Sequence, residues 1–266
     1  MDHLQRELAP ISEAGWRAIE DEIRPRLTTY LAARKLVDFE GPGGWGHSAT
    51  ALGRVAPIAG PAPDVIAVQR RVLPLVELRT EFRLERHELD DADRGATALE
   101  LGGLEEAGRR IALGENTAVF HGYRAGGISG ITESTSHEPV DLSPDTAHYP
   151  TVVAGAVDLL RQSGIGGPYG MAIAPDIYTG IVETAEHGGY LLFDHLRQIL
   201  GGPLVWAPGL EGGIVLSLRG GDFVLHSGQD ISIGYRSHDA QTVTLYLEES
   251  FSFRVATPEA AVVLTA

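Results

Sequence analysis

The chain has 266 residues, 43% of them hydrophobic, and a formal net charge of −15 at pH 7, so it can bury a sizeable core. The charge argues against a nucleic-acid-binding module, because such modules carry clustered lysine and arginine. No apolar run is long enough to span a bilayer, and residues 1–7 lack the pattern of a secretory signal. The absence of cysteine excludes disulfides and thiolate metal ligands and fits a reducing cytoplasm.

The first third of the chain predicts one long helix and one long hairpin. Hydrophobic periodicity predicts the helix over residues 12–34, with Ser12 as its N-cap. Pro25 interrupts this pattern, so we expect a kink or two short helices that meet there. Residues 48–76 predict an extended hairpin tipped by the proline-rich segment 60–64. Such a hairpin is marginal in water by itself and needs a surface to pack on.

The rest of the chain mixes helices and strands. A second long helix is predicted over residues 104–122, and residues 150–213 alternate helices with short strands. This order predicts a small α/β unit inserted between two sheet-forming regions. In residues 217–253 apolar and polar residues alternate in short runs joined by glycine-containing turns, which predicts half-buried strands. No repeat or flexible linker is present, so we expect one compact α+β body.

The motifs of common enzyme classes are incomplete in this sequence. Segment 164–170 has a tyrosine where a dinucleotide-binding fingerprint needs its third glycine. Ser129 lies in a segment similar to a nucleophile elbow, but isoleucine replaces the last glycine. His187 and His195 are too far apart for a compact zinc motif. The carboxylates within residues 88–93 are interpreted as a solvated loop. The sequence therefore predicts no catalytic residue and no metal site.

Several short segments, each weak alone, occur in a fixed order and spacing along the whole chain. They include Gly41-Pro-Gly-Gly-Trp45 and Pro74-Leu-Val-Glu-Leu-Arg79. The densest are Arg219-Gly-Gly-Asp-Phe223, Gly228-Gln-Asp-Ile-Ser-Ile-Gly-Tyr235, Leu245-Tyr-Leu-Glu-Glu-Ser250 and Thr257-Pro-Glu-Ala260. In this order they resemble the encapsulins, a family of bacterial and archaeal shell proteins once described as linocin-type bacteriocins. The resemblance covers essentially the full length of the chain.

The resemblance implies the fold of tailed-phage major capsid proteins, an α+β architecture with a peripheral domain, an axial domain and an extended loop. It assigns residues 1–127 and 211–266 to the peripheral domain and residues 128–210 to the axial domain. The hairpin at 48–76 is then the extended loop, which gains its missing packing from neighbouring subunits. Encapsulin subunits form a hollow icosahedral shell, and the modest length favours a homo-oligomer of about sixty subunits with closed symmetry.

The resemblance also implies an enclosed partner. In encapsulins a cargo enzyme, commonly a dye-decolourising peroxidase or a ferritin-like protein, is captured through its C-terminal targeting peptide. This peptide lies in a groove between the N-terminal helix and the last sheet. The matching cargo-peptide residues here are Leu27, Leu31, Arg34, Asp38, Phe39, Asp230, Ile231, Ile233 and Tyr235.

Two further expectations come from the resemblance. Glu186, His187, Gly188 and Gly189 match the mobile loop that lines the fivefold opening, where Glu186 and His187 would form an acidic ring that weakens as histidine protonates. Some members bind a flavin on an aromatic platform, but His87 stands at that position, so we expect no cofactor.

The resemblance leaves two alternatives from other classes open. A phage or prophage major capsid protein shares the fold. A soluble enzyme built on the α/β unit is the second alternative, for which the sequence offers no complete set of catalytic residues. Neither a nucleic-acid partner nor a membrane partner is expected.

Overall fold

The structure is a computed structural model that describes residues 3–142, 145–184 and 191–265. In these ranges the chain forms an α+β body with two five-stranded sheets and one two-stranded hairpin. The helices are α1 (Glu13–Tyr30), α2 (Arg86–Asp93), α3 (Gly102–Phe120), α4 (Ile131–Ser134), α5 (Tyr149–Gln162), α6 (Pro175–Glu183) and α7 (Leu192–Leu200). The strands are β1 (Asp38–Glu40), β2 (Ala49–Ile58), β3 (Ala67–Pro74), β4 (Val76–Glu85), β5 (Val140–Asp141), β6 (Tyr169–Ile173), β7 (Leu204–Trp206), β8 (Gly213–Ser217), β9 (Phe223–Ser227), β10 (Ser232–His238), β11 (Thr242–Val255) and β12 (Ala261–Thr265).

The first sheet is organised around the long strand β11. Its strand order is β1-β9-β11-β10, and β4 also pairs with β11. Strands β4 and β11 run antiparallel in register from Thr242 opposite Glu85 to Phe251 opposite Val76. Helices α1 and α3 lie over this sheet, and their apolar faces enclose Ile19, Leu104 and Leu245 in one core. Strand β10 lies at the edge of the sheet and pairs with β11 alone among the described strands.

The second sheet has the order β5-β12-β8-β6-β7, with α5 and α7 packed near it. Strand β8 is buried along its whole length, as expected for a near-continuous apolar strand in the middle of a sheet. Strands β8 and β12 therefore lie in the same sheet as β6 and β7 of the α/β unit, whereas the predicted division assigns all residues after 210 to the peripheral domain. The division of the chain into domains stays a prediction.

The predicted hairpin at 48–76 is confirmed as strands β2 and β3, which pair only with each other among the described strands. Most of its side chains are exposed. Six large apolar side chains of this hairpin face solvent, although such residues usually lie inside a protein. They are Val55, Ile58, Val65, Ile66, Val68 and Val72. The hairpin thus carries an apolar surface that the described part of the chain does not cover.

Helix α1 begins as predicted, because the Ser12 side chain accepts a hydrogen bond from the Gly15 backbone N–H at 3.0 Å. The prediction of two short helices at Pro25 is wrong, since α1 continues through this residue. Pro25 and Asp21 are both exposed, so water can solvate the Asp21 carbonyl group that proline leaves without a donor. The helix ends at Tyr30, four residues earlier than predicted, because the Asn116 amide donates to the Tyr30 carbonyl at 2.8 Å.

Helix α3 lies within two residues of its predicted bounds at both ends, and two other expectations are corrected. Residues 88–93 are part of α2, not of a loop, because Leu89 packs into the core beneath α1. The strands β9 and β11 are buried on both faces over much of their length, more than the predicted half-buried strands. Among the described residues, no helix is both long and apolar enough to span a membrane.

Candidate functional site

A groove lies between helix α1 and the edge strand β10. It has a cavity volume of about 590 Å³, within the range of protein ligand pockets. Ile23, Leu27 and Leu31 recur every fourth residue and line one wall. Ile233 and Leu247, which are cross-strand partners in β10 and β11, line the opposite wall. The groove can therefore hold an apolar chain between a helix and a sheet edge.

The structure brings together six of the nine residues predicted to bind a cargo peptide. They come from two segments that are almost 200 residues apart in sequence. These residues are Leu27, Leu31, Arg34, Asp230, Ile231 and Ile233.

The other three predicted residues lie outside the lining of this groove. The Asp38 carboxylate accepts a hydrogen bond from the Gly221 backbone N–H and lines a separate cavity of about 200 Å³. The Phe39 ring lies beneath the Arg34 guanidinium at 4.8 Å. The Tyr235 hydroxyl shares a hydrogen bond with His238 Nδ1 at 2.6 Å. Of these three side chains, that of Phe39 contacts Arg34, a residue of the groove lining.

Sequence reasoning missed several residues of the lining. Ile23 could have been found, because it lies on the same helical face as Leu27. Leu4 and Leu247 give no such signal, since only the tertiary fold brings them to the cavity. Arg24 and Lys35 place two exposed cations on the rim, and Lys35 Nζ donates to the Thr29 carbonyl at 2.9 Å.

Arg34 lies at the inner end of the groove and is held by three carboxylates. Its guanidinium reaches Glu115 Oε2 at 2.6 Å, Asp230 Oδ1 at 2.7 Å and Glu249 Oε2 at 3.1 Å. The side chains of Glu115 and Glu249 are 0% and 1% exposed, so the negative charge that this pair carries needs a buried counter-charge. Arg34 therefore joins the end of α1 to α3, to β11 and to the loop before β10.

The pKa values of this cluster follow from burial and charge. Burial alone would lower the pKa of Arg34, but Glu115, Glu249 and Asp230 outweigh it and raise that pKa above its ordinary value. Burial, together with the neighbouring Glu115 carboxylate, raises the pKa of Glu249 well above its ordinary value. Two buried carboxylates lie beside only one guanidinium, so one of them, Glu249, is favoured to keep its proton. Arg34 is therefore held within this cluster of carboxylates.

The comparisons with known proteins agree with the architecture. Residues 1–252 match the family described as encapsulating protein for peroxidase (Linocin_M18). The type 1 encapsulin shell protein of Rhodospirillum rubrum is 47% identical over 99% of this chain and 96% of its own length. The chain belongs to the encapsulin family. This level of identity favours an encapsulin over the alternative of a phage capsid protein.

Solved structures confirm the capsid-like fold of this encapsulin. The virus-like particle from Pyrococcus furiosus covers 94% of this chain and 98% of its own, with a TM-score of 0.63 at 18% identity. The capsid of the cyanophage P-SCSP1u covers 88% and 87%, with a TM-score of 0.52 at 11% identity. The predicted tailed-phage capsid architecture is therefore shown for this encapsulin.

The remaining predicted residues of this encapsulin are those of the fivefold opening and of the platform position. Glu186, His187, Gly188 and Gly189 lie outside the described residues. His87 is exposed on α2, with Nε2 3.2 Å from the Glu88 carboxylate. No group of three or more metal-ligating side chains occurs in the part of the chain that the structure describes.

Proposed function

We propose that this chain assembles with copies of itself into a closed icosahedral shell of about sixty subunits that encloses a cargo enzyme. The observation that carries this proposal is the hairpin β2–β3, whose exposed apolar side chains need a surface from another subunit. Membership in a family of shell proteins and the likeness to capsid structures support it. The cytoplasm is the proposed location, and the chain itself performs no catalysis.

The cargo enzyme of this proposal is a dye-decolourising peroxidase or a ferritin-like protein. The description of the matching family, which names a peroxidase, favours the first. The cargo carries a C-terminal targeting peptide that binds the groove between α1 and β10. The aliphatic walls of the groove suit the apolar side chains of a short peptide.

The groove is tested with Leu27→Asp and Ile231→Asp, because both side chains line it and are only half-buried. A charge on either wall is expected to leave shells intact but to exclude an apolar peptide. Leu159→Asp is the matched control, since Leu159 is a half-buried leucine on another helix, α5. Shells are purified with co-expressed cargo, and mass spectrometry measures the cargo-to-shell ratio. An unchanged ratio in both groove variants contradicts the groove.

The fivefold opening is a separate part of the proposal. Glu186 and His187, repeated around the fivefold axis, form an acidic ring, so small cations pass more easily than anions of equal size. Acidification reduces the preference for cations over anions because the histidines become positively charged. Entry of matched cationic and anionic probes is measured in shells with Glu186→Gln or His187→Ala. Equal entry rates in parent and variants leave size as the basis of selection.

A further inference from the structure

The outer edge of strand β10 borders the groove and offers backbone hydrogen-bonding groups. Of the described strands, β11 alone pairs with β10, on its inner side. Across the outer edge, the Tyr235 N–H donates to the Leu4 carbonyl at 2.8 Å. In an antiparallel pair, alternate residues direct both backbone groups away from the partner strand. Ile233, two residues before Tyr235 and ahead of the irregularity at Tyr235–Ser237, therefore also directs its N–H and C=O outward.

Ile233 combines this outward backbone with an apolar side chain in the groove. The side chain is 6% exposed and packs in the same core as Leu247, its partner in β11. A backbone group that is shielded from water and lacks a partner costs free energy. A ligand that both supplies backbone partners and fills the apolar cavity would remove this cost. An extended peptide has both kinds of group.

The N-terminal segment of the chain already uses this edge in that way. Leu4 supplies the carbonyl that accepts the Tyr235 N–H, and its own side chain, 8% exposed, lines the groove. Arg6 fixes the segment through an ion pair with Glu20 at 2.6 Å and by stacking over Trp16 at 4.1 Å. The segment occupies one end of the groove. In the described residues, no extended segment occupies the other end, towards Asp230.

We propose that the targeting peptide binds as an added β-strand on the outer edge of β10, next to Leu4. It exchanges backbone hydrogen bonds with Ile233 and places every second side chain in the groove. In strand addition, main-chain hydrogen bonds provide affinity, and pockets for alternate side chains provide specificity. This inference rests on the proposed function of the groove. It restricts the ligand to an extended peptide with apolar residues at alternate positions.

The test uses a fluorescent eight-residue peptide of alternating leucine and serine, added while shells of the unchanged chain reassemble. One version carries N-methyl groups on the leucines, and a second carries them on the serines. In a strand, only one of these two sets directs its N–H groups towards β10. Methylation of that set is expected to weaken binding about fivefold, because loss of the hydrogen bond to the Ile233 carbonyl costs about 1 kcal/mol. Methylation of the other set is the matched control and leaves the affinity within about twofold.

Fluorescence anisotropy of the three peptides decides between the outcomes. A clear loss of affinity on methylation of one set of residues, with no loss on methylation of the other set, supports strand addition. Equal affinities for both methylated peptides, whether both unchanged or both weakened, overturn the inference and leave the groove in place. If the unmethylated peptide binds Leu27→Asp shells as tightly as parent shells, the groove itself is contradicted. Failure of the inference and failure of the proposed function are therefore distinguishable.

Discussion

The hairpin β2–β3 and the strand β11 are both long and rich in strand-forming residues, yet they have opposite surroundings. β11 has β4 on one edge and β10 on the other over residues 243–248, and it is buried from Leu245 to Phe253. Among the strands that the structure describes, β2 and β3 pair only with each other, and Ile66 near their tip is 92% exposed. A sequence pattern can therefore specify a strand without specifying where its partners come from. β11 finds its partners within the chain, whereas the proposed partner of the hairpin is another copy of the chain.

The largest effect is expected from charges on the hairpin. Val68 and Val72 are four residues apart in β3, so their side chains lie on the same face of this strand. Val68→Asp with Val72→Asp should abolish shell assembly, because two carboxylates would be buried at a subunit contact. Far-ultraviolet circular dichroism and urea unfolding should show a folded subunit with stability within about 0.5 kcal/mol of the parent. Assembly is measured by size-exclusion chromatography with light scattering.

The matched control for the hairpin is Val68→Thr with Val72→Thr, which keeps the shape and strand propensity of both residues. This control should weaken assembly without abolishing it. Normal shells from the aspartate variant would contradict the interpretation of the hairpin as a subunit contact. Unfolded subunits would instead show that the hairpin stabilises its own chain.

The next effect concerns the cluster that fixes β11 from within. Arg34→Ala leaves Glu115 and Glu249 buried without their counter-charge, and we expect a loss of about 3–5 kcal/mol in the free energy of unfolding. Arg17→Ala is the control, because its pair with Glu13 at 3.7 Å is exposed and should contribute less than about 0.5 kcal/mol. Both values are measured by urea unfolding in the assembly-incompetent background. Equal losses of unfolding free energy in the two variants would contradict a structural role for Arg34.

A smaller effect compares the packing of the two regions directly. Leu245 is fully buried in β11, so Leu245→Ala should cost about 2–4 kcal/mol of subunit stability. Val55 in the hairpin is 58% exposed, and Val55→Ala should change subunit stability by less than about 0.5 kcal/mol. The same urea unfolding experiment measures both variants. A loss in Val55→Ala as large as that in Leu245→Ala would show that the isolated subunit covers its hairpin.

The smallest effect is a dependence on pH. The raised pKa of Glu249 means that the folded chain keeps a proton which the unfolded chain has released, so this group destabilises the fold as pH rises through that pKa. Glu249→Gln keeps the neutral shape and should give a flatter decline of stability from mildly acidic to alkaline pH. The difference between parent and variant unfolding free energies is measured across this range. A constant difference would show that Glu249 does not hold the proton.

Local patterns predicted much of the fold. Ser12 and the four-residue spacing of apolar side chains located α1, and proline-rich breaks located the hairpin. The break expected at Pro25 was wrong because the exposed side of a helix tolerates proline better than its periodicity suggests. The membership of β8 and β12 in the second sheet could not be predicted, since strand order depends on contacts between distant segments.

The residues of the groove show the same limit of prediction from local sequence patterns. Leu27 and Ile233, which the family resemblance assigned to one groove, line the same cavity, but the resemblance gave no sign of the ion pairs that Arg34 makes. The structure binds Arg34 to Glu115 and Glu249, which are 81 and 215 residues away in sequence. No periodicity detects pairs at such separations. Leu4 was missed for the same reason, because its place in the groove follows from the path of the whole N-terminal segment.

The central claim is that the hairpin is completed by other copies of the chain in a closed shell. The most direct measurement is the mass of the purified native chain by light scattering, with electron microscopy of the same sample. The account predicts hollow icosahedral particles of about sixty subunits. Monomers or dimers under native conditions, with no closed particles in the micrographs, would contradict it.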